Sequence, residues 1–430
     1  MLSKTPVPHL SKQVRDLKAS PTLAINELSK ELIQRGEKVY KLGFGQSPFP
    51  VPPIVVEALQ RHAAEKDYLP VAGLPALREQ IAIAKSQSLQ MKIEADQVII
   101  GPGSKELIFG LQMAFEGEVL LPSPTWVSYG PQAQIAGKSM RWIDCSYEDQ
   151  WKLLPEALAK ACEIHTDQAK LLILNYPSNP TGATYSAEEL RALAEVCKKY
   201  QVLVCADEIY GETHFQGSHK SLAAYYPEGT IISGGLSKWC GAGGWRLGSF
   251  IFPRNYRWLQ EALLKIASET YSAVSAPIQY AAITAYSDHP SLKTYLKHSR
   301  LILNWVSDYV NEELSSSGVK SHPAQGAFYQ FPDFEIYQEA LARQGIQGSR
   351  DFCKALLMET GVALLPGADF GRPESELSAR LSFVDFNGEQ ALQALQEGAS
   401  TIKDRKKFLQ TYCPQIYESI PKMIHWLKEQ

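Results

Sequence analysis

Short apolar runs that alternate with helix-like stretches are the feature that most restricts how this chain can fold. In the middle of the chain these runs are Val98–Ile100, Val119–Leu121, Leu171–Leu174, Val202–Cys205, Ile231–Ile232 and Leu247–Phe252. Several of them are apolar on both faces, which is typical of strands in a buried, mostly parallel sheet covered by helices. No long helix fits between the last two runs, so one strand there is expected to run antiparallel.

The two ends of the chain have a different pattern of apolar residues. Residues 22–35 have the apolar spacing of a helix that stops at Gly36, and Val39–Leu42 has the pattern of a short strand. After about residue 290, longer helical segments surround a second sheet region at Ala327–Phe331 and Ala379–Phe383. We therefore predict an N-terminal arm that belongs partly to the small domain (1–50), a large domain (51–300), and a small α+β domain with a helical C-terminal extension (301–430).

The extension contains two patterns that could be mistaken for binding surfaces. The charged run Lys403–Lys407 is more typical of a solvated helix face than of a binding patch. Ile420, Met423, Ile424 and Leu427 have the spacing of one helix face, for which ordinary packing is the simpler interpretation.

The composition argues against several classes of partner. The 430 residues include 43 basic and 46 acidic side chains, a formal net charge of −3, so nothing draws the chain as a whole toward nucleic acid or anionic lipid. No run reaches the roughly 18 apolar residues of a membrane span. The seven cysteines are scattered without a C-x-x-C pair, which favours reduced thiols. We expect a cytoplasmic protein that binds no nucleic acid, membrane or metal.

A glycine-rich loop follows the run Ile231–Ile232 and extends from Ser233 to Gly248. Lys238 and Arg246 are its only charged residues. In parallel sheets, ligands bind at the carboxyl ends of the strands. Burial there lowers the pKa of an amine and makes it a nucleophile toward carbonyl groups, and an arginine suits an anion such as phosphate. A solvated surface lysine is the plainer alternative for Lys238.

Two other loops at strand ends carry polar side chains. Asp207 and Tyr210 belong to the segment Asp-Glu-Ile-Tyr, and Asn179 begins the segment Asn-Pro-Thr-Gly. Asp207 is either a helix N-cap or a carboxylate that keeps a pyridine nitrogen protonated. Asn179 is either part of a simple turn or a donor to a cofactor oxygen.

The segment Gly-Pro-Gly-Ser-Lys at 101–105 separates the run Val98–Ile100 from a helix-like stretch. Free backbone N–H groups at a helix start bind phosphate, but the segment has neither a P-loop nor a full dinucleotide-binding pattern. Trp126 either offers a flat face to a stacked ring or packs in the core.

Together these motifs resemble the class I/II aminotransferases, pyridoxal-phosphate (PLP) enzymes of fold type I that include aspartate and tyrosine aminotransferases. The order and spacing match from about Ser20 to Phe383, including the eight-residue step from Lys238 to Arg246. The resemblance implies an α/β fold with a mostly parallel, seven-stranded central sheet. It also implies a homodimer with shared active sites and a ping-pong transfer of an amino group from an α-amino acid to a 2-oxo acid.

The resemblance also implies a role for each matching residue. The catalytic residues would be Lys238, which forms the Schiff base and carries the proton, Asp207 at the pyridine nitrogen, and Tyr210. Cofactor contacts would further come from Gly103, Ser104, Lys105 and Arg246 at the phosphate, Trp126 on the ring, Asn179 at the phenolic oxygen, and Tyr68 across the dimer interface. The substrate carboxylate would bind at Arg380, Gly45 and Asn179.

The sequence departs from the family pattern at three places. Gly235 stands three residues before the lysine, where many members have a phosphate-binding serine. The loop after Gly45 reads Gln-Ser-Pro-Phe rather than Glu-Pro-Asp-Phe. The chain also extends some tens of residues past the usual end.

The reaction and the substrate have alternatives. A β-eliminating PLP lyase has the same fold. A PLP-binding regulator would need a DNA-binding module, for which the segment before residue 40 leaves no room.

Some bacterial aspartate aminotransferases place a lysine directly after the phosphate-cup glycine. Here Ser104 has that position, and Lys105 lies one step later, a turn of about 100° on a helix. Ser20 and Thr22 do match polar residues near the substrate of those enzymes. We expect neutral or aromatic donors to be used at least as well as aspartate.

Overall fold

The structure is a computed structural model that describes residues 9–15, 17, 21–398 and 405–430, without the side chains of 21–24. Ten strands form two sheets among the described residues. The large sheet contains β1 (Val98–Gly101), β2 (Glu118–Ser123), β3 (Met140–Asp144), β4 (Lys170–Asn175), β5 (Leu203–Asp207), β6 (Thr230–Gly235) and β7 (Gly248–Ile251). The small sheet contains β8 (Tyr329–Gln330), β9 (Leu365–Pro366) and β10 (Ala379–Ser382).

Sixteen α-helices surround the sheets in the described part of the chain. Those before and among the strands of the large sheet are α1 (Lys12–Arg15), α2 (Pro21–Gln34), α3 (Pro53–Arg61), α4 (Pro75–Leu89), α5 (Ser104–Ala114), α6 (Tyr129–Ile135), α7 (Pro155–Cys162) and α8 (Ala187–Lys199). Those that follow are α9 (Arg257–Glu269), α10 (Ala276–Ala285), α11 (Pro290–Ser316), α12 (Gln338–Arg343), α13 (Ser349–Thr360), α14 (Gly388–Gln396), α15 (Arg405–Tyr412) and α16 (Pro414–Lys428).

The large sheet has the strand order β1-β7-β6-β5-β4-β2-β3. Neighbouring strands from β6 to β3 run parallel, whereas β7 is antiparallel to both β6 and β1. The predicted mixed, mostly parallel seven-stranded sheet and its one antiparallel strand are therefore confirmed. The reason is that β6 and β7 are joined by the glycine-rich loop, which is too short for a helical crossover.

Alternate residues of the central strands enter two separate apolar cores. Leu120, Leu172 and Val204 pack in one core with helices α7 and α8. Val119, Leu171 and Leu203 face the other way and pack with α5 and α9. Burial on both faces explains why these strands are continuous apolar runs in the sequence.

Two sequence predictions differ from the structure at the margins of the sheets. Strand β3 was not predicted, because it is an edge strand whose Met140 and Trp142 are 40% and 42% exposed, so it lacks the fully apolar signature. Val39–Leu42 was predicted as a strand, but it makes a single bridge from Tyr40 to Val362. The helix predicted over 22–35 is α2, and Gly36 follows it with a φ of +84°.

The C-terminal extension is part of the apolar core. Ile420, Met423, Ile424 and Leu427 of α16 are at most 8% exposed and pack in the cluster that also holds α11 and α13. The packing interpretation of this stripe is confirmed. Of the charged run at 403–407, Lys403 and Asp404 lie outside the described residues, and Lys406 and Lys407 are exposed on α15.

Each sheet lies within one of the predicted domains. We therefore propose residues 1–50, 51–300 and 301–430 as the N-terminal arm, the large domain and the small domain. All strands of the large sheet lie within 51–300, and all strands of the small sheet lie within 301–430. No helix in the described ranges combines the length and the apolar character needed to cross a bilayer.

Candidate active site

The carboxyl ends of β4, β5 and β6 open into a cavity of about 420 Å³. Its lining combines charged, amide, hydroxyl and aromatic groups: Ser104, Lys105, Trp126, Tyr129, Asn175, Asn179, Asp207, Ile209, Tyr210, Ser237, Lys238 and Arg246. Most of the residues predicted from the motifs are thus brought together, as the position of ligands in parallel sheets leads one to expect.

Lys238 is held in the cavity by a backbone carbonyl. Its Nζ donates to the carbonyl oxygen of Gly45 at 2.6 Å and lies 5.5 Å from the centroid of the Tyr210 ring. Burial, assisted by the positive charge of Arg380, lowers the pKa of the Lys238 amine to about 8. A substantial fraction of this amine is therefore neutral near physiological pH, the form that attacks a carbonyl carbon.

Asp207 ends β5 and is 2% exposed. The Tyr129 hydroxyl donates to its Oδ2 at 2.5 Å and the Ser233 hydroxyl to its Oδ1 at 3.1 Å. Burial raises the pKa of the carboxyl, and the two hydroxyl donors act in the opposite direction. The N-cap alternative fails, because the next helical segment begins at Gly211 with Tyr210 as its cap.

Arg380 projects from β10 of the small sheet and is 3% exposed. Its Nη1 donates to Asn179 Oδ1 at 3.1 Å and its Nη2 to the Gly43 carbonyl oxygen at 2.6 Å. Its Nε has no hydrogen-bond partner, and no carboxylate of the described residues is within ion-pair distance. A buried guanidinium paired only with neutral groups is poised to bind a carboxylate in bidentate fashion.

A backbone cradle lies between Gly103 and Arg246. Gly103 has a φ of +91° and caps α5, which begins at Ser104 without a side-chain cap. A Cβ at Gly103 would lie 2.2 Å from Nη2 of Arg246 and would displace that guanidinium, and the positive φ itself favours glycine. Free N–H groups at a helix start beside a guanidinium form an anion site.

The glycine at 235 has a local steric reason. A Cβ at this position would lie 2.7 Å from the Leu247 carbonyl oxygen and 3.0 Å from Cα of Gly248. A serine would force the strands β6 and β7 apart, so the departure from the family pattern is built into the packing of this pair.

Several residues that complete the site were not identified from the sequence. Tyr129 and Ser233 hold Asp207, the Tyr329 hydroxyl lies 2.9 Å from that of Tyr210, and Asn175 Oδ1 accepts from the Asn179 backbone N–H at 2.7 Å. Asn175 ends β4, four residues before Asn179, and Tyr129 begins α6, three residues after Trp126. Tyr329 reaches the site from the small sheet, and the sequence around it does not predict this position.

Four predicted residues do not themselves line the cavity: Gly45, Tyr68, Gly103 and Arg380. Arg380 is bonded to Asn179 of the lining, and Gly103 lies beside Arg246. Gly45 is adjacent, since a Cβ there would lie 3.8 Å from Nη1 of Arg380. Tyr68 is 95% exposed and does not line the cavity of its own chain. Ser20 and the side chain of Thr22 lie outside the described residues. No cluster of potential metal ligands occurs in the described part of the chain.

Comparison with known proteins identifies the family. A sequence profile described as "Aminotransferase class I and II" matches residues 37–396. The chain belongs to this family. It is 37% identical over 385 residues to an aspartate aminotransferase of Geobacillus stearothermophilus, covering 87% of this chain and 94% of that one. It is 32% identical over 386 residues to an asparagine–oxo-acid transaminase of Streptococcus mutans, covering 87% and 94%.

The fold of this aminotransferase is also that of solved relatives. The aspartate aminotransferase of Thermus thermophilus with maleate superimposes with a TM-score of 0.80 at 28% identity, covering 91% of this chain and 100% of that one. The expected fold class and the amino-group transfer are therefore confirmed, and the comparisons do not favour the lyase. The profile ends at residue 396, so α15 and α16 lie beyond the part that defines the family.

The low pKa of Lys238 predicts how its reactivity depends on pH. In cofactor-free protein, competitive labelling with acetic anhydride followed by peptide mapping should give a labelling midpoint of about 8 for this amine, against its usual value of 10.5. The neutral form is favoured by burial, so unfolding in urea should return the midpoint toward 10.5. A folded-state midpoint near that of the unfolded chain would contradict the buried placement.

Proposed function

We propose that this aminotransferase is a PLP-dependent transaminase in which Lys238 attaches the cofactor. The observation that carries the proposal is a half-buried lysine of low pKa and a buried carboxylate in one cavity, with a buried guanidinium bonded to Asn179 of the cavity lining. The described residues fit the cofactor. The Gly103–Arg246 cradle suits its phosphate, Trp126 and Asp207 suit its ring, and Asn179 and Tyr210 suit its phenolic oxygen.

When bound, PLP supplies the electron sink that stabilises negative charge at Cα of the amino acid. The protein orients the amino acid and moves a proton. Arg380 binds the α-carboxylate, and its fixed fork sets which Cα bond faces Lys238. The Lys238 amine then takes the Cα proton, which a pKa of about 8 permits near neutral pH. The Asp207 carboxylate, whose two oxygens accept from Tyr129 and Ser233, would keep the ring nitrogen of the bound cofactor protonated.

For the amino donor we propose a dicarboxylic amino acid such as aspartate. From its helix position alone, Lys105 need not face the substrate. In the structure its side chain lines the cavity, with its Nζ 5.2 Å from the centroid of the Trp126 ring. A cation in this position can pair with a second carboxylate. Aspartate aminotransferases are among the relatives, and the Thermus enzyme carries maleate, a dicarboxylate.

We further propose a cytoplasmic homodimer with shared sites. The seven cysteines are free and buried, as in a reducing compartment. The hydroxyl-bearing ring of Tyr68 is almost fully exposed, and a side chain of that size on a loop is suited to reach a partner subunit. Amino acids and 2-oxo acids are the proposed small-molecule partners, with neither nucleic acid nor membrane.

Loss of Lys238 should remove the reaction while leaving the cavity intact. Borohydride treatment of the wild-type protein should fix the cofactor to the peptide that contains Lys238. Lys238→Ala should still bind PLP but transaminate roughly 10²- to 10⁴-fold more slowly or worse, because nucleophile and proton carrier are both lost. The assay should screen several donors and 2-oxo acids. Pyruvate and ammonia formed without an acceptor would instead indicate the lyase.

Removal of the Lys105 charge should lower the preference for aspartate. In Lys105→Met, kcat/KM for aspartate should fall about 10- to 150-fold, which corresponds to roughly 1.5–3 kcal/mol for a charge-assisted bond. Leucine should be affected less than threefold, and it serves as the internal control for altered cofactor binding. Lys105→Arg should keep most of the preference. Equal losses for aspartate and leucine would refute the assignment of Lys105 to the distal carboxylate.

The shared-site proposal predicts that activity and dimerisation go together. Sedimentation at assay concentration should find a dimer, and Tyr68→Phe should weaken PLP binding roughly 10-fold or more, because a bond to phosphate is lost across the interface. Tyr225→Phe, at a half-buried tyrosine that does not line the cavity, is the matched control. A fully active monomer, or unchanged PLP affinity in Tyr68→Phe, would contradict the proposal.

A further inference from the structure

A short segment between β9 and β10 joins the small sheet to the ends of β2 and β3. This tether, residues 370–372, makes two hydrogen bonds with the last residue of β2 and the chain that follows it. The Thr125 N–H donates to the Phe370 carbonyl oxygen at 3.0 Å, and the Ser123 hydroxyl donates to the Gly371 carbonyl oxygen at 2.8 Å. Gly371 has a φ of +91°, and a Cβ there would lie 2.6 Å from the Trp142 ring, so the tether is packed tightly against β3.

Arg372 supplies the polar centre of the tether. Its side chain is 9% exposed, and its Nε and Nη2 bind Glu376 on its own side at 3.0 and 2.8 Å. On the other side, its Nη1 lies 3.3 Å from the Ser123 carbonyl oxygen and 3.2 Å from that of Cys145, and it also pairs with Asp144. One planar guanidinium thus connects the two sheets, which the point charge of a lysine could not do equally well.

Each end of the tether leads to a group of the active site. The Phe370 ring lies 5.2 Å from Cζ of Arg380, the guanidinium proposed to bind the substrate carboxylate. Thr125 is followed directly by Trp126, which lines the cavity and lies 5.1 Å from the Tyr129 ring. Arg372 itself does not line the cavity. Its effect on the reaction must therefore pass through these neighbours.

We propose that Arg372 is a positioning residue that fixes the distance between the carboxylate site on the small sheet and the ring-stacking wall on the large sheet. This proposal rests on the proposed function, because it assigns Arg380 to the substrate and Trp126 to the cofactor. Without Arg372, Asp144 and Glu376 lose their guanidinium partner and the Cys145 carbonyl loses a donor, while the Ser123 carbonyl still accepts from the Cys145 N–H. The tether then binds the ends of β2 and β3 less firmly, and the two sheets can shift relative to each other. A misplacement of about 1 Å can reduce the rate of a positioned reaction roughly 100-fold.

The test compares Arg372→Gln with Arg372→Lys and with a matched control. Arg405→Gln is that control, because Arg405 also pairs with two carboxylates, Asp308 and Glu312, but is remote from the cavity. The PLP-loaded wild-type enzyme and the variants are assayed well below their melting temperatures. Arg372→Gln should lose roughly 10- to 100-fold in kcat/KM, mostly as a higher KM for the amino donor. The visible circular dichroism of bound PLP should change, because Trp126 moves relative to the ring.

The outcomes separate this inference from the proposed function. Arg372→Lys should lie between wild type and Arg372→Gln, and Arg405→Gln should stay within twofold of wild type. If Arg372→Gln does not fold, Ser123→Ala removes one uncharged bond of the tether and should shift KM and the circular dichroism in the same direction. Wild-type KM and circular dichroism in both Arg372→Lys and Ser123→Ala would overturn the positioning role. A wild-type enzyme without transaminase activity would overturn the proposed function instead.

Discussion

The cost of burying positive charge governs the organisation of this site. Arg380 is buried and Lys238 is half-buried, and Asp207 is the one carboxylate in the described lining of the cavity. A lysine can escape the cost by losing its proton, and burial does bring its pKa to about 8. An arginine cannot, so the fold surrounds it with a carbonyl, an amide oxygen and aromatic faces and leaves its charge available to an anion.

The positions of Arg380 and Lys238 depend on residues 40–45, a segment that lies outside the large sheet. Most of the motifs lie on that sheet. The carbonyls of Gly43 and Gly45 accept from Arg380 and Lys238, and they follow the single bridge at Tyr40. The hydroxyl of Tyr40 lies 3.3 Å from Glu418 of α16. The C-terminal extension thus packs against the strand-like segment that presents both carbonyls. This gives it a structural role, although it lies beyond the residues that match the family profile.

Local signals in the sequence were sufficient for the parts of the site that follow strands directly. Asp207 and Lys238 were found because a buried strand, a turn and a reactive side chain occur within a few residues of one another. The sequence did not predict edge strand β3, because one of its faces is solvated. It predicted a strand at Val39–Leu42, because an apolar pattern cannot distinguish a single bridge from a ladder of paired residues. Tyr329, Ser233 and the tether depend on which distant segments meet, and that is decided by packing rather than by any local pattern.

The charge states of the groups in the cavity are coupled to one another and to what binds there. In the chain alone, burial pushes Lys238 and Asp207 toward their neutral forms, since it lowers the pKa of the amine and raises that of the carboxyl. Anions near Arg246 and Arg380 would favour the protonated amine, and a cationic ring nitrogen would favour the ionised Asp207. Ligand binding should therefore be accompanied by the uptake or release of protons at Lys238 and Asp207. The hydroxyls of Tyr129 and Ser233, already aimed at Asp207, mean that its ionisation requires little reorganisation of the protein.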